Sequence, residues 1–477
     1  LAIALGIGIY LITTTVLISK DGVFYIENAQ QFASDPITII KTHPPGYPFL
    51  ILTAHKFVTL FSNDSSVFTW IYSAQSATLL CRLLAIIALY LIGKLLVGSK
   101  QSFLAMLILI ILPNPAEMGS DVLREWPHIL FLAMGLLALL YAGRKGNWWL
   151  FATAGVIAGL GHMIRPECAQ IVLYGFVLLG IRFWRPVAGF GRRKCVLAML
   201  VMTAGFAAVA VPYVTARGKL LPDKLKNLVS YTETIEMERT DAGDQYCIAG
   251  FAGEGIVKGL GKLSDRICQH LMYYFVPPVL IGLYLQFRKK SKPDDIERVL
   301  ILGVIAVYIL MMLLLYRDYG YISRRHCLPL IVFTIFYLPM GLGKTAEWLC
   351  SKRKNNSKEA VMRMTVVLCA AGMVLCLPKL LRPIAADKTG YAATAEWLKE
   401  NTAPMDVVSV PDKRITFYAG RKGMVYSSSL PKQAKYAVSV VRDGDEKPLF
   451  IQGLQEKYSV WVNEQKKKKR IGVYKLF

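Results

Sequence analysis

Five short stretches of this 477-residue chain hold ionisable side chains whose types and spacing could do chemistry. They are KDG, with Asp21; KTHPPG, with Lys41 and His43; SDVLREW, with Arg124 and Glu125; HMIRPE, with Arg165 and Glu167; and SRRH, with Arg324, Arg325 and His326. A carboxylate can take the proton from an attacking hydroxyl. Fixed cations can hold a phosphate as it leaves. These types suit transfer of a sugar from a lipid phosphate to a hydroxyl, with Asp21 and Glu125 as the catalytic acids. Lys41, His43, Arg124, Arg165, Glu167, Arg324, Arg325 and His326 would then bind donor phosphate or substrate. Each also has a plainer reading. Asp21 could cap a helix or mark the water boundary, Arg165 and Glu167 could form an ion pair around Pro166, and SRRH could be a basic membrane anchor. Pro44 and Pro45 fix φ at two positions and Gly46 permits a tight turn, so KTHPPG holds Lys41 and His43 in place under any reading.

The elements that must position these residues are apolar. Hydrophobic residues make up 54% of the chain and its mean hydropathy is +0.42, too high for an ordinary soluble protein. About eleven runs approach the bilayer-spanning length of about 20 residues: 1–19, 68–93, 102–115, 126–141, 148–164, 168–183, 195–215, 271–287, 299–316, 327–343 and 361–381. The loops GKLLVGSK, GRKGN, RFWRPVAGFGRRK, RKKSKPDDIER and KTAEWLCSKRKNNSKEAVMR are basic, which assigns them to the cytoplasm. The five chemical stretches then share the opposite face, with Asp21 at the end of the first span. The net charge of +24 belongs to topology and to anionic membrane lipids; no basic strip interleaved with aromatics points to nucleic acid. The run 47–61 is too short to span and would invert every later loop, so it is expected to be an interfacial or re-entrant helix. Tyr25, Ala29, Phe32 and Ala33, at helical spacing, suggest a second interfacial helix before it.

Residues 1–381 thus form the expected membrane domain. Residues 382–477 change character: YAATAEWLKEN reads as a helix, and DVVSV, GMVYSS, KYAVSVV, YSVWVN and RIGVYKLF read as strands of a small α/β domain on the extracytoplasmic side. The lysines at 466–469 suit a solvated hairpin tip. Cys81, Cys168, Cys195, Cys369 and Cys376 lie in or beside apolar runs, as small buried residues do; Cys247 and Cys268 share a polar loop in which a disulfide can form. The histidines at 43, 162, 270 and 326 lack HxxxH or HxH spacing, so no cofactor is assigned and a divalent metal is left open. Because it opens inside an apolar run at Leu1 without Met, the sequence is expected to lack its true start.

An acid near the end of the first span, an interfacial segment and then His43-Pro44-Pro45 resemble the layout of the membrane-embedded GT-C glycosyltransferases, closest to the protein O-mannosyltransferase and aminoarabinose transferase branch. LREW, RPE and SRRH support the match. The resemblance implies a mostly α, polytopic bundle with a C-terminal α/β domain, in a plasma or inner membrane. It also implies a polyprenyl-phosphate-linked sugar donor, an inverting displacement, and Asp21 in the place of the family's catalytic aspartate; the acceptor could be lipid, polysaccharide or protein. The mannosyltransferase branch carries Asp-Glu where this chain has Asp21-Gly22, so a second acid's role would fall to Glu27 or Glu125, or be absent. The rival class is a flippase or exporter of lipid-linked sugars, which asks for ionisable groups at mid-membrane and paired broken helices.

Overall fold

The computed structural model describes residues 1–476 except 63, 65, 185–190, 219–252, 289–295, 354–356 and 427–429. Cys247, and with it the expected pairing to Cys268, lies outside the described residues. The first apolar run makes only a short helix, α1 (Ala2–Thr13). Thr13, Thr14 and Thr15 turn their hydroxyls back onto the carbonyls of Ile9, Tyr10 and Leu11, and the Val16 N–H bonds instead to the Ile384 carbonyl at 3.1 Å. Side-chain bonds of this kind compete with helix propagation. Asp21 therefore does not end the first span. It sits in the first turn of a new helix, α2 (Lys20–Ser34), whose N-cap Ser19 accepts the Gly22 N–H.

Asp35 caps the next helix, α3 (Pro36–Thr42), which opens on Pro36 in the favoured first position. The chain then passes through Pro44-Pro45 into α4 (Gly46–Thr59), a helix too short to span. The face of α2 that packs inward overlaps the expected stripe only at Tyr25 and Ala29. Val23, Ile26 and Ala29 are buried against Tyr47, Ile51 and Ile71, whereas Ala33 is exposed. Burial follows the stripe that meets α4 and the bundle.

The bundle proper comprises α5 (Val67–Val97), α6 (Ser99–Ile111), the short α7 (Pro113–Met118), α8 (Glu125–Lys145), α9 (Trp148–His162), α10 (Gln170–Trp184) and α11 (Arg192–Arg217). After the undescribed stretch come α12 (Gly253–His270), α13 (Val276–Arg288), α14 (Ile296–Tyr319), α15 (Arg324–Thr334), α16 (Leu338–Lys352) and α17 (Lys358–Leu380). Among the described residues seven helical segments are long and apolar enough to cross a membrane: Val67–Val97, Glu125–Lys145, Pro166–Trp184, Arg192–Arg217, Val299–Tyr319, Arg324–Lys352 and Lys358–Leu380. The other four expected spans carry α1, α6, α9 and α13, each shorter than a bilayer crossing. Proline stops α6 at Pro113, and α9 ends shortly before Pro166. The outward faces stay apolar, with Phe103, Leu200 and Val374 each more than 60% exposed, as lipid contact requires.

Inside, small residues bring backbones together. A Cβ at Gly155 would overlap the Met202 carbonyl, joining α9 to α11, and Cβ atoms at Gly282 and Gly341 would overlap the carbonyls of Tyr337 and Pro278, joining α13 to the α15–α16 arm. Arg82 is buried in α5, but it donates to the Ile110 carbonyl near the end of α6 at 3.0 Å and lies over the Trp126 ring, so its role is to tie helices together.

The C-terminal part holds α18 (Thr389–Asn401), α19 (Lys413–Ala419) and a five-stranded sheet of β1 (Val407–Val410), β2 (Lys422–Val425), β3 (Tyr436–Arg442), β4 (Glu456–Trp461) and β5 (Lys469–Lys475). The strand order is β2-β1-β3-β5-β4, parallel on one side through β1 and antiparallel on the other through β5. The lysine run turns β4 into β5 and is exposed. Close backbone contact yields a test. Gly341→Val should cost about 2 kcal/mol or more by overpacking and lower the thermal midpoint in detergent, whereas Gly343→Val, which faces open space, should leave it nearly unchanged.

Candidate active site

Four helix ends converge where the ionisable residues lie: the starts of α2, α8 and α15 and the turn between α9 and α10. The start of α2 is pinned first. Asp121 Oδ1 accepts the N–H groups of Ser19 (3.0 Å) and Val122 (2.7 Å). The Ser19 hydroxyl donates to the Val122 carbonyl, and a Cβ at Gly22 would come within 2.9 Å of Val122 Cβ. Held in this way, Asp21 presents Oδ2 to Arg325 Nη1 at 2.6 Å. The pair is open to water, with the side chains 45% and 36% exposed.

A second, drier cluster adjoins it. Glu125 opens α8 and is buried. Arg165 Nη1 lies 3.9 Å from Glu125 Oε1, and Arg165 Nη2 donates to Glu167 Oε1 at 3.1 Å. Burial opposes the Arg165 charge, but Glu167 and Glu125 outweigh it and hold its pKa above the usual value. Glu125 Oε2 is buried without a hydrogen-bond partner among the described residues. Tyr25 joins the clusters. Its ring lies under the Arg124 guanidinium at 5.8 Å and edge-on to Tyr47. Burial raises its phenol pKa, Arg124 and Arg165 oppose that shift, and Glu125 and Asp21 reinforce it.

The His-Pro-Pro turn docks beside Arg165. The Gly46 N–H donates to the Met163 carbonyl at 2.9 Å, and a Cβ there would meet Ile164 and Met163. Gly46 is thus needed for close approach and not for a positive φ, since it is the first residue of α4. His43 ends α3, packs edge-on against Phe24, and has its pKa lowered by burial and then by Arg217. Lys41, in the last turn of α3, is exposed and has no ion-pair partner among the described residues. SRRH does not act as one group. Arg325 turns to Asp21, Arg324 Nη1 reaches Asn114 Oδ1 at 3.4 Å, and His326 Nδ1 meets the Ser323 hydroxyl.

Several neighbours were not singled out from sequence. Asp121 lies inside SDVLREW, three residues before Arg124, but an acid that serves as a backbone acceptor looks like any loop acid. Tyr25 was read only as part of an apolar stripe. His128 follows Glu125 by one helical turn; its Nε2 lies 3.4 Å from Tyr308 Oη, which accepts from Gln170, whose Oε1 accepts from Tyr174. This buried ladder leads from the cluster into the bundle. Among the described residues no three His, Cys, Asp or Glu side chains gather closely enough to hold a metal ion. A cavity of about 1060 Å³ lined by Pro278, Leu342 and Trp348 includes none of these residues.

With this geometry in view, comparison with known proteins places the fold. ArnT from Cupriavidus metallidurans bound to undecaprenyl phosphate superposes with a TM-score of 0.59 at 14% identity, over 99% of this chain and 96% of that one. The fold is that of the GT-C glycosyltransferases. The Archaeoglobus fulgidus oligosaccharyltransferase in its apo form gives 0.55 at 11% identity, and AglB from the same organism with an inhibitory peptide and a dolichol-phosphate gives 0.56 at 12%; each match covers 92% of this chain and 69% of the other. Residues 42–213 match the family described as dolichyl-phosphate-mannose-protein mannosyltransferase. That segment includes His43, Arg124, Glu125, Arg165 and Glu167 but not Asp21 or Arg325. No curated protein matches the sequence. With the apolar spans among the described residues, these matches describe an integral membrane protein that has the GT-C fold.

Asp121 offers a pH test away from the spans. Burial raises its pKa from 3.8 to about 6, although the backbone N–H groups of Ser19 and Val122 oppose the shift. Between those values the folded state binds more protons than the unfolded one, so this group's contribution to stability falls as pH rises from about 4 to about 6. The difference in thermal midpoint, wild type minus Asp121→Asn, should shrink over that range; a flat difference would mean the carboxyl titrates normally.

Proposed function

We propose that this chain is a glycosyltransferase that moves a hexose-type sugar from a polyprenyl-phosphate donor to an acceptor hydroxyl at the extracytoplasmic face of a cell membrane, with inversion. The observation that carries the reading is the solvent-open contact of Asp21 with Arg325 at 2.6 Å, beside the buried Arg165 cluster. This contact supports the reading because a carboxylate can accept a proton and a guanidinium can hold a phosphate within one reaction's reach. The basic loops at the opposite helix ends support the orientation through the positive-inside rule.

In the proposed reaction the donor phosphate binds Arg325, drawing the guanidinium from Asp21 and freeing the carboxylate. Asp21 takes the proton of the acceptor hydroxyl as its oxygen forms a bond to the anomeric carbon. The bond from that carbon to the phosphate oxygen breaks, and polyprenyl phosphate leaves with its negative charge held by Arg325. Arg165 supports the phosphate electrostatically from the drier side, with Arg124 and His43 at the rim. Glu125, with one buried oxygen unpartnered among the described residues, would accept a hydrogen bond from the sugar or the acceptor. The acceptor itself, whether lipid, polysaccharide or protein, would enter from the side open to water.

Purified protein in detergent with a labelled polyprenyl-phosphate sugar and a hydroxyl acceptor tests the reading. Release of free polyprenyl phosphate without any compartment separates transfer from flipping. Asp21→Asn should lower turnover by about 10²–10⁴-fold, the range for a general base, while retaining donor binding; wild-type turnover in that variant would remove Asp21 as the base. Arg325→Ala should weaken donor affinity about 10–100-fold, as expected for a charge-assisted hydrogen bond.

A further inference from the structure

The chain just before Asp21 is gripped by a helix from its far end. Ile18 lies between α1 and α2, where the main chain has no helical partners and its polar groups must be satisfied elsewhere. Both are taken by α19 and its side chains: the Ile18 N–H donates to Tyr418 Oη at 3.0 Å, and the Ile18 carbonyl accepts from Arg414 Nη1 at 3.1 Å. Arg414 is itself locked, with Nε and Nη2 donating to the two oxygens of Asp412 at 3.0 and 2.7 Å. Both side chains of that pair are 5% exposed or less. A bidentate guanidinium of this kind has little freedom to move. Two further contacts frame the grip. Lys413 Nζ meets Glu27 on α2 at 2.7 Å, and Tyr418 packs edge-on against Phe68 at the start of α5.

Residues 18–22 are therefore clamped between α19 on one side and the Asp121–Val122 turn on the other. Asp21 stands three residues from Ile18. A displacement of about 1 Å at a reacting group can cost about 10²-fold in rate. We propose that Arg414 and Tyr418 are positioning residues for Asp21, so that the sheet domain is a working part of the active site. The inference rests on reading Asp21 as the general base.

The full-length protein in detergent carries the test, with two readouts: turnover of the labelled donor, and hydrogen–deuterium exchange in peptides covering residues 17–22. Tyr418→Phe keeps the ring and removes the acceptor for the Ile18 N–H. It should lower kcat about tenfold with donor KM within about threefold, and speed exchange at 17–22. Arg414→Ala should lower kcat about 100-fold, the scale of a misplaced reacting group, and Arg414→Lys should recover part of that loss. Lys435→Ala, which breaks the remote Lys435–Asp406 pair of the same domain, should change neither readout. Should Arg414→Ala fail to fold, Tyr418→Phe decides alone. Normal kcat in Tyr418→Phe alongside faster exchange would overturn the proposal, because the clasp would then hold the chain without serving the chemistry; so would unchanged exchange, or a raised KM at normal kcat. Failure of the underlying reading looks different: Asp21→Asn would turn over like wild type.

Discussion

The contact between Asp21 and Arg325 joins residues 304 positions apart. Charged groups at helix mouths are costly against lipid and are tolerated where they face one another or water. In this bundle that constraint acts on several helices together. The starts of α2, α8 and α15 and the turn between α9 and α10 each carry a charge that meets an opposite one: Asp21 with Arg325, and Arg165 with Glu125 and Glu167. These helices differ in kind, from the amphipathic 15-residue α2 to the 21-residue apolar α8. The ion pairs at their ends are directional, so they set which end of each helix meets which. The two clusters differ in wetness. The Arg165 cluster is buried and would be badly upset by losing one partner, whereas the Asp21–Arg325 pair is exposed enough for Arg325 to trade the carboxylate for a ligand anion, as the proposed reaction requires. In the proposed reaction, stability and reactivity would then fall to neighbouring charges.

Backbone economy does the remaining positioning. Gly46 lets the His-Pro-Pro turn sit directly on the Met163 carbonyl, so His43 and Arg165 are placed by one contact although they are 122 positions apart in sequence. Ser19 is held by three hydrogen bonds through its N–H and its hydroxyl. In both places a short irregular segment is fixed by bonds that have a main-chain group on at least one side and only short side chains on the other, so little rotamer entropy is lost. The site is built on helix ends, but its precision comes from the connections between them.

Much of this was legible in the sequence, for identifiable reasons. Apolar runs and proline punctuation located the bundle helices, and alternating β-branched residues located all five strands. The clustering of Arg165, Glu125 and Arg325 followed from the cost of charge in lipid. What was not legible depended on three-dimensional partners. The threonines that end α1 at Thr13 look apolar enough to continue the run, so Asp21 was assigned to the wrong helix. SRRH reads as one basic patch, yet successive residues at a helix start point in different directions, and Arg324 and Arg325 part company. Asp121 and Tyr25 act through a backbone acceptor and a buried phenol, neither of which has a spacing signature. The grip of α19 on Ile18 links residues about 400 positions apart, and no local pattern announces it.

The glycine after Asp21 shows how the structure limits the chemistry available. In the mannosyltransferase branch that this chain resembles, a second acid follows the aspartate. At position 22 here the backbone rests against Val122, and even a Cβ would come within 2.9 Å of Val122 Cβ and 3.2 Å of its carbonyl oxygen. A glutamate could not enter without lifting α2 from the Asp121–Val122 turn, and that turn is what aims Asp21. Of the two acids left to take such a part, Glu27 is engaged with Lys413 at 2.7 Å, on the side of α2 that faces the sheet domain. Glu125 stands with Arg165, near Tyr25, and keeps one oxygen without a hydrogen-bond partner among the described residues. If the reaction needs a second carboxylate, geometry leaves that part to Glu125, delivered by α8 instead of by the residue next to the base. The two acids would then ride on separate helices, and their spacing would depend on the packing of α2 against the bundle.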